Sequence, residues 1–84
     1  MRVTVELSYP MSKAFGKERL EVEGVSTVAD AVAKTKAQIG PEFDKLARLA
    51  AVAVNGVLVN YKHGMKTPLA DGDVVGFVHA AAGG

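Results

Sequence analysis

Val3, Val5, Leu7 and Tyr9 alternate with Thr4, Glu6 and Ser8. A period of two, rich in β-branched residues, predicts a half-buried first strand. Pro10 is expected to end it, because proline has no N–H to give a ladder. A loop through Gly16 then leads to Glu18-Arg19-Leu20-Glu21-Val22-Glu23, where Leu20 and Val22 point one way and the acids the other. Gly24 closes this second strand, and the two are expected to pair antiparallel across a connection too long for a tight turn.

The period changes after Gly24. Val28, Ala31, Val32, Thr35 and Ile39 recur every three or four residues, an apolar stripe that predicts the main helix. Thr27 and Asp30 have the spacing of a capping box, and Gly40-Pro41 supplies the stop signal. Phe43, Leu46 and Ala47 suggest one further short helical turn. The apolar run Leu49 to Val54 contains a buried strand over Ala51-Val52-Ala53-Val54, and Asn55-Gly56 is a hairpin turn signal returning through Val57-Leu58-Val59. Asn60 to Lys66 is expected as a polar loop, and Asp71-Gly72-Asp73 as turn chemistry. Val74 to His79 forms the last strand. Within it, Val75 and Phe77 are placed in the core and Val78 towards a partner. The resulting order, β-β-α-β-(β)-β, is α+β, a sheet of four to five strands covered by one main helix.

Eighty-four residues fit one domain, expected over residues 1–79 with a flexible tail over 80–84. Ten basic and nine acidic side chains leave a net charge of +1. That balance argues against a nucleic-acid binder with a broad basic face. The absence of cysteine excludes disulfides, thiolate metal sites and a thiol nucleophile. The first residues alternate instead of forming a signal-peptide stretch, and no run approaches the roughly 18–20 apolar residues of a membrane span. A soluble cytoplasmic protein without membrane attachment is expected.

The tail Ala80-Ala81-Ala82-Gly83-Gly84 carries the candidate chemistry. A terminal carboxylate is ionised at neutral pH, so it is a poor electrophile until activated. Activation, most simply as an acyl-adenylate, requires ATP, and the chain lacks both a phosphate-binding G-x-x-x-x-G-K-[ST] loop and a G-x-G-x-x-G turn. The activating enzyme must therefore be another protein. Gly84 offers a carbonyl that no side chain crowds, and Gly83 gives the tail conformational freedom.

Thr27-Val28-Ala29-Asp30-Ala31-Val32, Val52-Ala53-Val54-Asn55-Gly56, Thr67-Pro68-Leu69-Ala70-Asp71-Gly72-Asp73-Val74-Val75 and Gly83-Gly84 occur in this order. Together they resemble the MoaD/ThiS family of ubiquitin-like sulfur carriers. The resemblance implies a β-grasp fold. It also implies adenylation of Gly84 by an E1-like adenylyltransferase, then conversion to a thiocarboxylate that serves molybdopterin or thiamine-type cofactor biosynthesis. A sulfur donor and a sulfur-accepting synthase subunit are the further partners. The carrier itself is not an enzyme and holds no cofactor, ATP being used by the activating partner. Where MoaD proteins carry aromatic residues and two prolines before the tail, this chain has Phe77-Val78-His79-Ala80-Ala81-Ala82, and the tail is expected to be less stiff. A ubiquitin-like covalent modifier, joined through Gly84, would need the same tail. A non-covalent β-grasp interaction module would not need it.

Other candidates have plainer readings. His63 and His79 lack a matching carboxylate motif, so exposed loop and strand-end positions are expected in place of a metal pair. His79, at the root of the tail, and Val78 are possible docking residues. Lys62, His63 and Lys66 read as a solvated basic loop. Ser8, Ser12 and Ser26 lack the context of a catalytic nucleophile.

Overall fold

Strand alternation does in space what it does in sequence: Val3 and Val5 of β1 (Arg2–Glu6) are buried while Arg2 and Glu6 face solvent. A computed structural model of the chain describes residues 1–79; the tail expected over 80–84 lies outside the described residues. After β1 come α1 (Tyr9–Phe15), β2 (Arg19–Glu23), α2 (Val28–Ile39), α3 (Phe43–Ala47), β3 (Ala50–Val54), β4 (Val57–Leu58) and β5 (Val74–His79). The strands form one five-stranded mixed sheet in the order β2-β1-β5-β3-β4. β1 pairs antiparallel with β2 and parallel with β5, and β5 pairs antiparallel with β3. The last strand is therefore central.

One face of the sheet carries the core. Val3, Val5, Leu20, Val22, Val75 and Phe77 meet Val28 and Ala31 of α2, Phe43 of α3 and Met11 of α1. Each Val, Leu, Met or Phe among them, taken fully out of water, contributes about 1.5–3 kcal/mol, which a small domain needs from nearly every inward position. Phe43 joins the layers: its ring lies 6.4 Å from that of Phe15 and packs edge-on to Phe77 at 5.4 Å. Thr35, fully buried within the apolar stripe, satisfies its hydroxyl on the Ala31 carbonyl at 2.8 Å.

α1 corrects the expected strand and loop. β1 stops at Glu6, and Tyr9, expected inside a strand, begins a helix instead and is exposed. Ser8 is the N-cap, its Oγ accepting from the Met11 amide at 3.3 Å. Pro10 occupies the first turn, where its missing N–H has no partner to lose. The residue that ends the strand thus also starts the helix. Two other expectations change. Val59–Tyr61 and Gly64–Lys66 form 3₁₀ turns within the expected short strand and polar loop. β3 is buried only towards its end, at Ala53 and Val54, with Ala51 exposed.

The joints of the fold follow the sequence signals closely. Thr27 caps α2 reciprocally: its Oγ1 accepts from the Asp30 amide, while the Asp30 carboxylate accepts from the Ser26 and Thr27 amides at 2.9 and 3.1 Å. Those two amides, then the Thr27 hydroxyl, hold the Asp30 carboxyl below its ordinary value. Thr27 also bridges to Pro68, with the Val28 amide donating to the Thr67 carbonyl and the Leu69 amide to that of Ser26. At the β3–β4 turn Asn55 has φ +50° and Gly56 +85°, the left-handed pair that an Asn-Gly hairpin favours. The Asn55 side chain reaches across to β5: Nδ2 donates to the Asp73 carboxylate and Oδ1 accepts from the Val74 amide, both at 3.0 Å. The Ala70 amide donates to the other Asp73 oxygen at 2.8 Å. That amide first, then the Asn55 side chain, lowers the Asp73 carboxyl's pKa.

Two outcomes are expected. Asn55→Ala loses the side-chain bonds and also puts at positive φ a residue that tolerates it less well than asparagine, so denaturation should show a loss of about 2 kcal/mol. Asn55→Gly keeps the backbone geometry easy and should lose only about half as much; equal losses would mean that the turn conformation contributes nothing. For pH, Asp30 and Asp73 bind protons more weakly folded than unfolded. Their contribution is complete above the ordinary Asp value near 3.9 and disappears as pH falls through the lower native values. Urea midpoints measured downward from neutral pH should drop in that acid window, and less steeply for Asp73→Asn.

Candidate functional site

The site is the place where the domain hands over to its tail. Parallel pairing runs β1 and β5 in the same direction, with Glu6 opposite Gly76. The ends of both strands consequently lie at one edge of the sheet, which brings Ser8 alongside the end of β5. On the other side β3 begins there, Ala50 pairing with His79 and Ala51 with Val78. Three elements therefore converge on the last described residue: the N-cap of α1, the C-terminal end of α3 and the first residue of β3.

His79 is only half-exposed, which differs from the exposed strand-end position expected for it. Its Nδ1 lies 2.7 Å from Ser8 Oγ and its Nε2 lies 2.8 Å from the Leu46 carbonyl oxygen. A carbonyl can only accept, so Nε2 carries the hydrogen, and in the neutral ring Nδ1 then accepts from the serine hydroxyl. Ser8 is buried and, as N-cap, already accepts from the Met11 amide. One ordered chain of donors results: Met11 N–H to Ser8 Oγ, Ser8 O–H to His79 Nδ1, and His79 Nε2–H to Leu46. No residue near His79 in sequence announces these partners, which lie 71 and 33 positions away.

Val78 points the other way and is 51% exposed. Its register partner Ala51 is exposed as well, and Leu49, just before β3, is 72% exposed. These residues form a small apolar area on the open face of the sheet, beside the tail root. The opposite half of that face, on β1 and β2, is charged: Arg2 pairs with Glu21 at 3.4 Å and Glu23 at 3.3 Å. Val75 and Phe77 lie in the core, where the sequence placed them. Gly83 and Gly84, the expected attachment residues, lie outside the described residues.

The remaining candidates stay apart from this region's chemistry. His63, Lys62 and Lys66 are exposed, with Thr67 Oγ1 accepting the His63 amide. Among the described residues no three His, Cys, Asp or Glu side chains gather as metal ligands. Ser8 is occupied as a cap, and Ser12 donates its hydroxyl to the Tyr9 carbonyl. No helix among these residues is long and apolar enough to cross a membrane.

Solved structures repeat this architecture over almost the whole chain. Small archaeal modifier protein 1 from Methanosarcina acetivorans is similar with a TM-score of 0.85 at 21% identity, covering 99% of this chain and 96% of that one. A chain of the Amycolatopsis orientalis BexX/CysO complex gives 0.83 at 25% identity, covering 98% and 99%. A chain of the Helicobacter pylori complex of molybdopterin-converting factor subunits 1 and 2 gives 0.71 at 23% identity, covering 100% of both. The fold is the ubiquitin-like β-grasp, and the last two of these relatives are seen in complexes with protein partners. None of the curated proteins matches the sequence significantly. The ThiS family model matches residues 8–84, from the cap of α1 to the last glycine, and the chain belongs to the ThiS family.

Proposed function

We propose that this protein is a sulfur carrier whose working group is the Gly84 carboxyl. Membership of the ThiS family over a match that runs to Gly84 is the observation that carries the reading. In the proposed cycle an E1-like adenylyltransferase binds ATP, and a Gly84 carboxylate oxygen attacks its α-phosphorus while pyrophosphate leaves. A sulfur donor at the sulfide level, such as hydrosulfide, then attacks the acyl carbon, AMP departs with the original oxygen, and a thiocarboxylate remains once the sulfur has lost its proton. A synthase subunit of a molybdopterin or thiamine-type pathway accepts the sulfur. The carrier supplies no catalytic group and binds no cofactor of its own. Its contribution is a recognisable handle and a reactive end that the partner can enclose.

The apolar area at Val78, Ala51 and Leu49 supports this division of labour. An exposed aliphatic residue in a central strand costs solubility, and such patches commonly mark protein contacts. Its position beside the tail root suits an enzyme that must grip the domain and receive the tail together.

Intact-mass measurement after incubation with ATP, the cognate activating enzyme and a sulfur donor should show one oxygen-to-sulfur exchange on the full chain. Unmodified protein with every E1-like enzyme of the same organism would refute the carrier reading, and Gly-Gly remnants on lysines of other proteins without any thiocarboxylate would replace it by the modifier reading. Val78→Asp should leave the melting temperature nearly unchanged but raise KM for adenylation about tenfold, the scale of one lost interface anchor. An unchanged KM would place the docking surface elsewhere.

A further inference from the structure

We infer that His79 is a positioning residue, which fixes the point and direction from which the tail leaves the sheet and so governs delivery of the Gly84 carboxyl. The inference rests on the carrier reading for its consequence, but not for its geometry. β5 is held unevenly along its length. Through Gly76 it has ladder partners on both sides, Glu6 of β1 and Ala53 of β3. Beyond Gly76 the pairing with β1 ends, whereas that with β3 continues to His79. Val78 points outward and anchors nothing in the core. The final residues of the strand would therefore be an edge held from one side, and such edges fray.

The His79 ring supplies the missing side. Nδ1 accepts from Ser8, which β1 delivers to that position, and Nε2 donates to Leu46 of α3. The chain from Leu46 runs on into Ala50, the ladder partner of His79 itself, so the ring closes a loop between a helix end and its own strand. Both nitrogens are satisfied, and the two bonds together require a donor and an acceptor on one short side chain.

Five residues follow His79. Five residues span at most roughly 17–18 Å of extended chain, so the position of His79 bounds where the carboxyl can go. Each residue released from β5 lengthens the tether by roughly 3.3 Å and widens the volume it samples. Effective concentration at a fixed target falls as that volume grows. A pinned root keeps the tether short and aimed.

The test uses the full chain. In the wild-type protein, ring ¹⁵N shifts of His79 should report the single Nε2–H tautomer at neutral pH; a mixture of tautomers would overturn the inference without any variant. His79→Phe keeps the ring's bulk and removes both nitrogens. Exchange of the Val78 amide, which faces β3, should accelerate about tenfold, the equivalent of roughly one net hydrogen bond, with the amides of β1 unchanged. With an active E1-like enzyme, kcat for adenylation should fall by a similar factor while KM stays, in contrast to the effect of Val78→Asp. His79→Gln, which can donate and accept at a similar reach, should recover much of both losses. Unchanged exchange overturns the pinning. Faster exchange with unchanged kcat overturns its role in delivery, and loss of activity without rescue by Gln reduces it to ordinary stability. If the wild-type chain is never adenylated, the carrier reading fails while the tautomer and exchange measurements still decide the geometry.

Discussion

The parallel pairing of β1 with β5 is the constraint from which the rest of the molecule follows. Parallel neighbours cannot be joined by a tight turn, so the long connection between Glu6 and Val74 carries the helices that cover one face of the sheet as well as its three other strands. Because the first and last strands lie side by side in the middle, the core positions Val3, Val5, Val75 and Phe77 pack next to one another although they are far apart in the sequence. The core closes only when the last strand is in place. The same pairing puts the ends of both strands at one edge, which is why Ser8 and His79 meet although 71 positions separate them.

The residues that carry the family resemblance are mostly joints of this frame. Thr27 and Asp30 start α2, and Thr27 meets Pro68 across an isolated bridge. Asn55 and Asp73 lock the β3–β4 turn to the start of β5. Positions of this kind admit few residues: a positive φ excludes most side chains, and a cap requires a short acceptor. Motifs of this sort therefore report the fold, and they do so strongly because several independent demands agree. The reactive chemistry proposed for the protein lies elsewhere, at Gly84, apart from these joints.

Legibility in the sequence followed the range of the interactions. The alternating strands, the α2 stripe with its capping box and the Asn55-Gly56 turn are local patterns, and the structure bears them out. α1 was hidden for a local reason. Leu7 and Tyr9 continue the strand parity of Val3 and Val5, and in α1 Met11 and Phe15 give only one helical repeat of apolar residues. The signal that was present is Ser8 followed by Pro10, a cap and a first-turn proline. The anchoring of His79 had no comparable signal. Its partners are a serine whose role is set by α1 and a backbone carbonyl on α3, and neither becomes a neighbour until the sheet has formed. A histidine at a strand end reads as exposed because sequence shows only its local surroundings.

Val78 and His79 show how strand parity can separate two tasks between adjacent residues. Successive side chains point to opposite faces, so one faces the open side, where a partner can reach it, while the next turns toward the helices, where it can be fixed. The open face is itself divided. Its β1–β2 half is charged, which protects the β2 edge against strand addition, and the β4 edge is only two residues long. An apolar area in the middle of such a sheet is available to a shaped protein surface but not to edge-to-edge pairing. On the carrier reading, that combination answers a particular problem. The domain must be gripped hard enough to present its end, released after each transfer, and kept from sticking to itself in between. A small central patch with a fixed tail root next to it meets all three demands, whereas a larger patch would fail the last two.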